Sequence, residues 1–152
     1  MASWKQQAMI EAPIAKVWEI LSDPERGPDW QEGLMAVTGA PTKIEKGSKF
    51  DMTGRGPLGV KSTTTFQVEE LEYMHELKLK CQMSGFYSHW LLTPAQDGTF
   101  TEVELGIEPL EDPSVRARVA SALHTKSYLR REVEKLLDAL RQAASRERAG
   151  AS

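Results

Sequence analysis

The last third of the chain limits the fold most. In EDPSVRARVASALHTKSYLRREVEKLLDALRQAAS, residues 111–145, the apolar residues Val115, Val119, Ala122, Leu129, Val133, Leu136, Leu137 and Leu140 recur at helical spacing and form one stripe. Asp112 suits the N-cap, and Pro113 suits the first helical position, where no N–H is needed. At 1.5 Å per residue, about 30 residues make a rod roughly 45 Å long, as wide as a domain of this size. An apolar stripe of that length needs a partner of similar reach. The expectation is a sheet that wraps around the helix.

The sheet is visible upstream. From about residue 34 to 110 apolar and polar residues mostly alternate, and the alternation is interrupted by the glycine-containing turns EKGS, GRGPLG, MSG and QDGT. Val60, Ser62, Thr64, Phe66 and Val68 oppose Lys61, Thr63, Thr65, Gln67 and Glu69. Leu77, Leu79, Cys81 and Met83 oppose Glu76, Lys78, Lys80 and Gln82, and Thr101, Val103, Leu105 and Ile107 oppose Glu102, Glu104 and Glu108. A sheet of this kind is solvated on one face and buried on the other.

Residues 3–11 also alternate, with Trp4, Gln6, Ala8 and Ile10 on one side, and are expected to form a first strand. APIAKVWEILSD then changes period. Ile14, Val17, Trp18 and Leu21 follow helical spacing, with Pro13 at the start. Asp23-Pro24 and Gly27-Pro28 end that helix, because the residue before a proline is pushed out of the α region. The segment LSDPERGPDW therefore turns sharply and ends on Trp30.

The chain of 152 residues, 40% hydrophobic and 27% charged, is long enough for one core without a disulfide or metal staple. The expected organisation is a single domain over 1–145 and a flexible C-terminal tail over 146–152. One cysteine, Cys81, rules out an intramolecular disulfide, and a reduced, cytoplasmic setting is the expectation. No stretch approaches the roughly 20 apolar residues a membrane helix needs. A net charge of −3 with interspersed signs lacks the footprint of a nucleic-acid binder.

The order strand, short helices, six strands and long helix, with IEAPIAKVWEILSDPERGPDW, HWLLTPAQDGTFTEVEL and LRREVEKLLDALRQ, resembles the START/Bet v 1-like (SRPBCC) superfamily. Its polyketide cyclase/dehydratase-like branch is the most similar. The resemblance implies an α+β helix-grip fold, in which a curved seven-stranded antiparallel sheet wraps around the long C-terminal helix and two short helices follow the first strand. It further implies a cavity between sheet and helix. Trp30 then either anchors the helical plug at one end of the sheet or contacts a ligand, and Trp18 and Trp90 face the same choice.

The residues placed at a ligand site are Trp30, Phe66, Leu77, Leu79, Met83, His89, Trp90, Thr101, Val103 and Lys126. Inward hydroxyls of Ser62, Thr64 and Thr101 suit either a pocket with a few polar groups or bonds to nearby backbone. Met35, Met52 and Met83 would add adaptable lining if they face inward. His89 lies in FYSHWLL, where both strand faces are partly apolar and the inward register stays open. Lys126 falls inside the helical stripe, pointing to the cavity or snorkelling from its mouth. His75, His89 and His124 lack metal-site spacing, and no metal or cofactor is expected. GRGPLG sits between antiparallel strands and leads into no helix, so it is not a phosphate-binding loop.

Three functions remain open at this level. The chain binds a hydrophobic small molecule such as a lipid, polyketide or aromatic metabolite. Alternatively, it is a cyclase, aromatase or dehydratase with His89, Tyr87 or Lys126 as acid/base groups. As a third possibility it is an interaction module like the chaperone-activator relatives of the superfamily. A monomer or homodimer fits all three.

Overall fold

The structure is a computed structural model that describes residues 4–55, 59–82, 86–109 and 126–150. Strand β1 (Trp4–Ile10) leads into helix α1 (Ile14–Leu21), a single 3-10 turn (Pro24–Arg26) and the short helix α2 (Gly27–Trp30). Strands β2 (Leu34–Thr38), β3 (Lys49–Arg55), β4 (Lys61–Glu72), β5 (Glu76–Cys81), β6 (Phe86–Ala95) and β7 (Phe100–Pro109) follow, and helix α3 (Lys126–Gly150) closes the chain. All strands pair antiparallel in one seven-stranded sheet of order β1-β7-β6-β5-β4-β3-β2. The first and last strands in sequence are thus brought together, which places β1 beside β7.

Two bulges bend the sheet. On β4, Val68 pairs with Leu79 and Glu70 with Lys78, so Glu69 is an extra residue. On β2, Leu34 pairs with Gly54 and Ala36 with Thr53, leaving Met35 as the extra one. An extra residue bends its strand and increases the local twist. Met35, a candidate for lining only if it faces inward, is 43% exposed at this bulge.

Helix α3 packs against β1, β7, α1 and α2. Val133, Leu137, Leu140 and Ala144 are its buried stripe, while Leu136 and Ala139 are half-buried at the flank. The helix continues to Gly150, past the domain end placed at residue 145, and Arg146 on it is exposed. The expected start of this helix at Asp112-Pro113, and Val115, Val119 and Ala122 with it, lie outside the described residues.

Helix α1 buries Val17, Trp18, Ile20 and Leu21. Behind it, Gly27 allows α2 to approach β2 closely, since a Cβ on Gly27 would come within 2.6 Å of Leu34 Cδ2. The Pro/Gly-rich stretch therefore does break the helical segment into short pieces, as expected.

Thr101 joins these parts. It is fully buried, and its Oγ1 donates a hydrogen bond of 2.8 Å to the carbonyl of Ala12 between β1 and α1. Replacing it with the isosteric valine leaves that buried carbonyl without its donor. Thr101→Val is expected to lower stability by about 1–3 kcal/mol in urea denaturation. An unchanged midpoint would mean the carbonyl finds another donor.

Candidate functional site

The strand registers divide the sheet residues between two faces. Leu77 pairs with Trp90 and Trp90 with Leu105, all buried on the inner face, whose β1 and β7 end α3 packs against. Leu92 and Val103 continue this dry region towards Ile10 and Thr101. Trp30 reaches it from α2. Its ring meets that of Trp90 edge to face, with centroids 6.4 Å apart and planes at 76°.

Towards the other end of the same face burial falls off. Phe66, Leu79, Cys81, Phe86 and Ser88, with Met52, Thr64 and Ile107, are only half-buried. The pairs Met52–Thr64, Phe66–Cys81, Leu79–Ser88 and Ser88–Ile107 make them neighbours across five strands. Phe50 stacks on Phe66 at 6.2 Å and buries the patch's flank. Thr64 Oγ1 and Cys81 Sγ lie 3.5 Å apart within it. The patch thus offers apolar walls with hydroxyl and thiol groups interspersed, the composition of a small-molecule site.

The structure brings together Trp30, Phe66, Leu77, Leu79, Trp90, Thr101 and Val103 on this inner face, with different roles. Leu77, Val103 and Thr101 are at most 1% exposed and belong to the closed core. The Thr101 hydroxyl is committed to the Ala12 carbonyl. Phe66 and Leu79 belong to the half-buried patch. Ser62 is exposed on β4 and Val60 is 65% exposed before it, so neither lines the patch. Met83 and His124 lie outside the described residues. Lys126 opens α3, but its side chain lies outside what is described.

His89 requires a correction. It pairs with Lys78 and Gly106 and points to the outer face, away from Trp90 and α3. Its Nε2 lies 2.6 Å from Glu76 Oε2 and its Nδ1 3.2 Å from Glu108 Oε1. Lys78 Nζ is 3.2 Å from Glu108 Oε2 and 4.6 Å from the centre of the Tyr87 ring. Tyr87 therefore shares the outer face as well. The network ties the outer faces of β5, β6 and β7 together.

Burial pushes the Glu108 carboxyl up, but the hydrogen bonds from His89 and Lys78, with their positive charges, outweigh it and hold Glu108 below the usual carboxylate range. A carboxyl lowered by folding contributes stability above its unfolded value of about 4.3 and loses it as the pH falls through the folded value. The stability advantage of the parent over Glu108→Gln is therefore expected to be present at neutral pH and to shrink below about pH 4.3. Denaturant midpoints measured for both from pH 7 to 3 check this. A constant difference would contradict it.

A curved seven-stranded sheet gripping a C-terminal helix, with short helices inserted after β1, is the helix-grip architecture of Bet v 1-like proteins. The chain belongs to the family described as polyketide cyclase / dehydrase and lipid transport, whose model matches residues 1–145. No curated protein matches the chain. Among solved structures, TTHA0849 from Thermus thermophilus is similar with a TM-score of 0.70 and 16% identity, covering 99% of this chain and 100% of that one. The AHSA1-like protein from Aeromonas hydrophila is similar with a TM-score of 0.65 and 17% identity over 99% of this chain and 96% of that one. Ara h 8.0201 is similar with a TM-score of 0.64 and 12% identity over 94% and 97%. At these identities the likeness concerns the fold. Among the described residues no helix is long and apolar enough to cross a membrane.

Proposed function

We propose that the chain binds a hydrophobic small molecule, of the lipid, polyketide or aromatic class, between the inner face of the sheet and α3. The observation that carries this reading is the half-buried patch around Phe66, Leu79 and Ser88, beside a core that is otherwise closed. Apolar side chains left partly uncovered on an inner face gain by covering with an apolar ligand, at roughly 25 cal/mol per Å² removed from water. Membership of a family whose description includes lipid transport supports the same reading.

The cyclase reading keeps less support. Of its three named acid/base groups, His89 and Tyr87 lie on the outer face. The fold by itself assigns no reaction.

The neutral fluorophore N-phenyl-1-naphthylamine is expected to bind the native protein with about one-to-one stoichiometry. Ser88→Trp fills the middle of the patch and is expected to weaken binding about tenfold, the equivalent of roughly 1.4 kcal/mol of lost contact. Absence of binding by the parent, or an unchanged affinity in a folded Ser88→Trp variant, would overturn the proposed site.

A further inference from the structure

We infer that Trp30 determines specificity at the proposed site: its indole N–H selects apolar molecules that carry a neutral acceptor oxygen, such as a ketone or ester, over hydrocarbons of the same shape. This inference rests on the proposed function. Trp30 Nε1 is the buried side-chain nitrogen left without a hydrogen-bond partner among the described residues, and the residue as a whole is only 7% exposed. Buried indole N–H groups ordinarily find a partner, because leaving the donor unpaired is costly. Thr101, the buried polar residue of the inner face, follows that rule through Ala12.

Trp90, on which the Trp30 ring rests, stands two residues from Ser88 on the same face of β6, so Trp30 borders the proposed site at its closed end, where a bound molecule could bring an acceptor. Helix α2 packs against β2 and α3, and the Trp30 ring rests on Trp90 of the inner face. The close approach of Gly27 to Leu34 holds α2 down on the sheet, so the ring is supported at both ends of the short helix. The indole nitrogen is a donor only, so its complement is an acceptor. One neutral donor does not compensate the desolvation of a carboxylate, which makes a neutral oxygen the better match.

The test uses 2-acetylnaphthalene and 2-isopropenylnaphthalene, which have nearly the same shape and differ by C=O against C=CH2. An apolar pocket without a donor favours the hydrocarbon, because the ketone leaves water less readily. With the parent the ketone is expected to bind about five- to tenfold tighter, and with Trp30→Phe, which keeps an aromatic ring, the order should reverse. A second readout needs no variant. Of the four tryptophan indole N–H signals in the proton–nitrogen NMR spectrum, the one from Trp30 should move downfield with the ketone and not with the hydrocarbon. If both compounds bind the parent and the hydrocarbon binds equally or better, the selecting role of Trp30 falls and the site stands. That role falls likewise if Trp30→Phe weakens both equally, or if the Trp30 signal ignores the ketone. If neither compound binds, the site falls too.

Discussion

Leu140→Ala is expected to destabilise the protein by about 3–5 kcal/mol, the upper part of the range for a buried leucine. Leu140 is fully buried in the stripe of α3 that includes Val133, Leu137 and Ala144. Its neighbours belong to elements far apart in sequence, since α3 packs on β1 and α1 at one end of the chain and on β7 beyond the middle. A cavity there has little freedom to collapse, because sheet and helices fix its walls from several sides. For a domain of this length the loss corresponds to a fall in melting temperature of roughly 10 °C. Leu136 lies one position from the stripe's centre and is half-buried, so Leu136→Ala should cost less than half as much. Calorimetry or urea denaturation of the two variants decides it. Equal effects would mean that the helix is rotated from the position described.

Trp90→Ala is expected to cost about 3–5 kcal/mol as well, for a different reason. The side chain is 4% exposed, sits between Leu77 and Leu105 across the sheet, and supports the ring of Trp30. Its removal therefore also undermines the packing of α2. A double-mutant cycle with Trp30→Ala should show a favourable coupling of about 0.5–1.5 kcal/mol, the amount an aromatic pair contributes beyond area burial. Additive effects would show that the two rings stand independently.

These two residues show what the amino-acid pattern discloses. The stripe on α3 is legible because a 3.6-residue period over several turns leaves only one face to bury, although spacing alone does not rank Leu136 against Leu137. The strand phases are equally legible wherever one face is charged, as in β5 and β7. On β6 that contrast is missing: Tyr87 and Leu91 on one face are about as apolar as Trp90 and Leu92 on the other. The inward side is settled only by pairing with Leu77 and Leu105, which period two does not encode. Proximity in sequence accordingly groups His89 with Trp90, whereas the sheet puts them on opposite faces.

Long-range polar partners are hidden for a related reason. Thr101 and Ala12 are 89 residues apart, and nothing local to either indicates the bond. Likewise Glu76, His89 and Glu108 come together through diagonal positions on three strands. Trp30 is visible as an anomaly after a proline and a glycine, but a four-residue helix has no period from which its direction could be read.

Along β4 the inward residues are even-numbered up to Val68 and odd-numbered from Leu71, and the Glu69 bulge absorbs the change of phase. Glu69 and Glu70 adjoin, so losing either one leaves the same sequence and preserves the alternation on both sides. Phe66 and Val68 would still point to the inner face, as would Leu71. Such a deletion would straighten the bend, altering the curvature of the inner face without changing the residues on it. Descendants of this chain therefore have two independent routes to a reshaped inner face: substitution changes its chemistry, and a single-codon insertion or deletion at the bend changes its curvature.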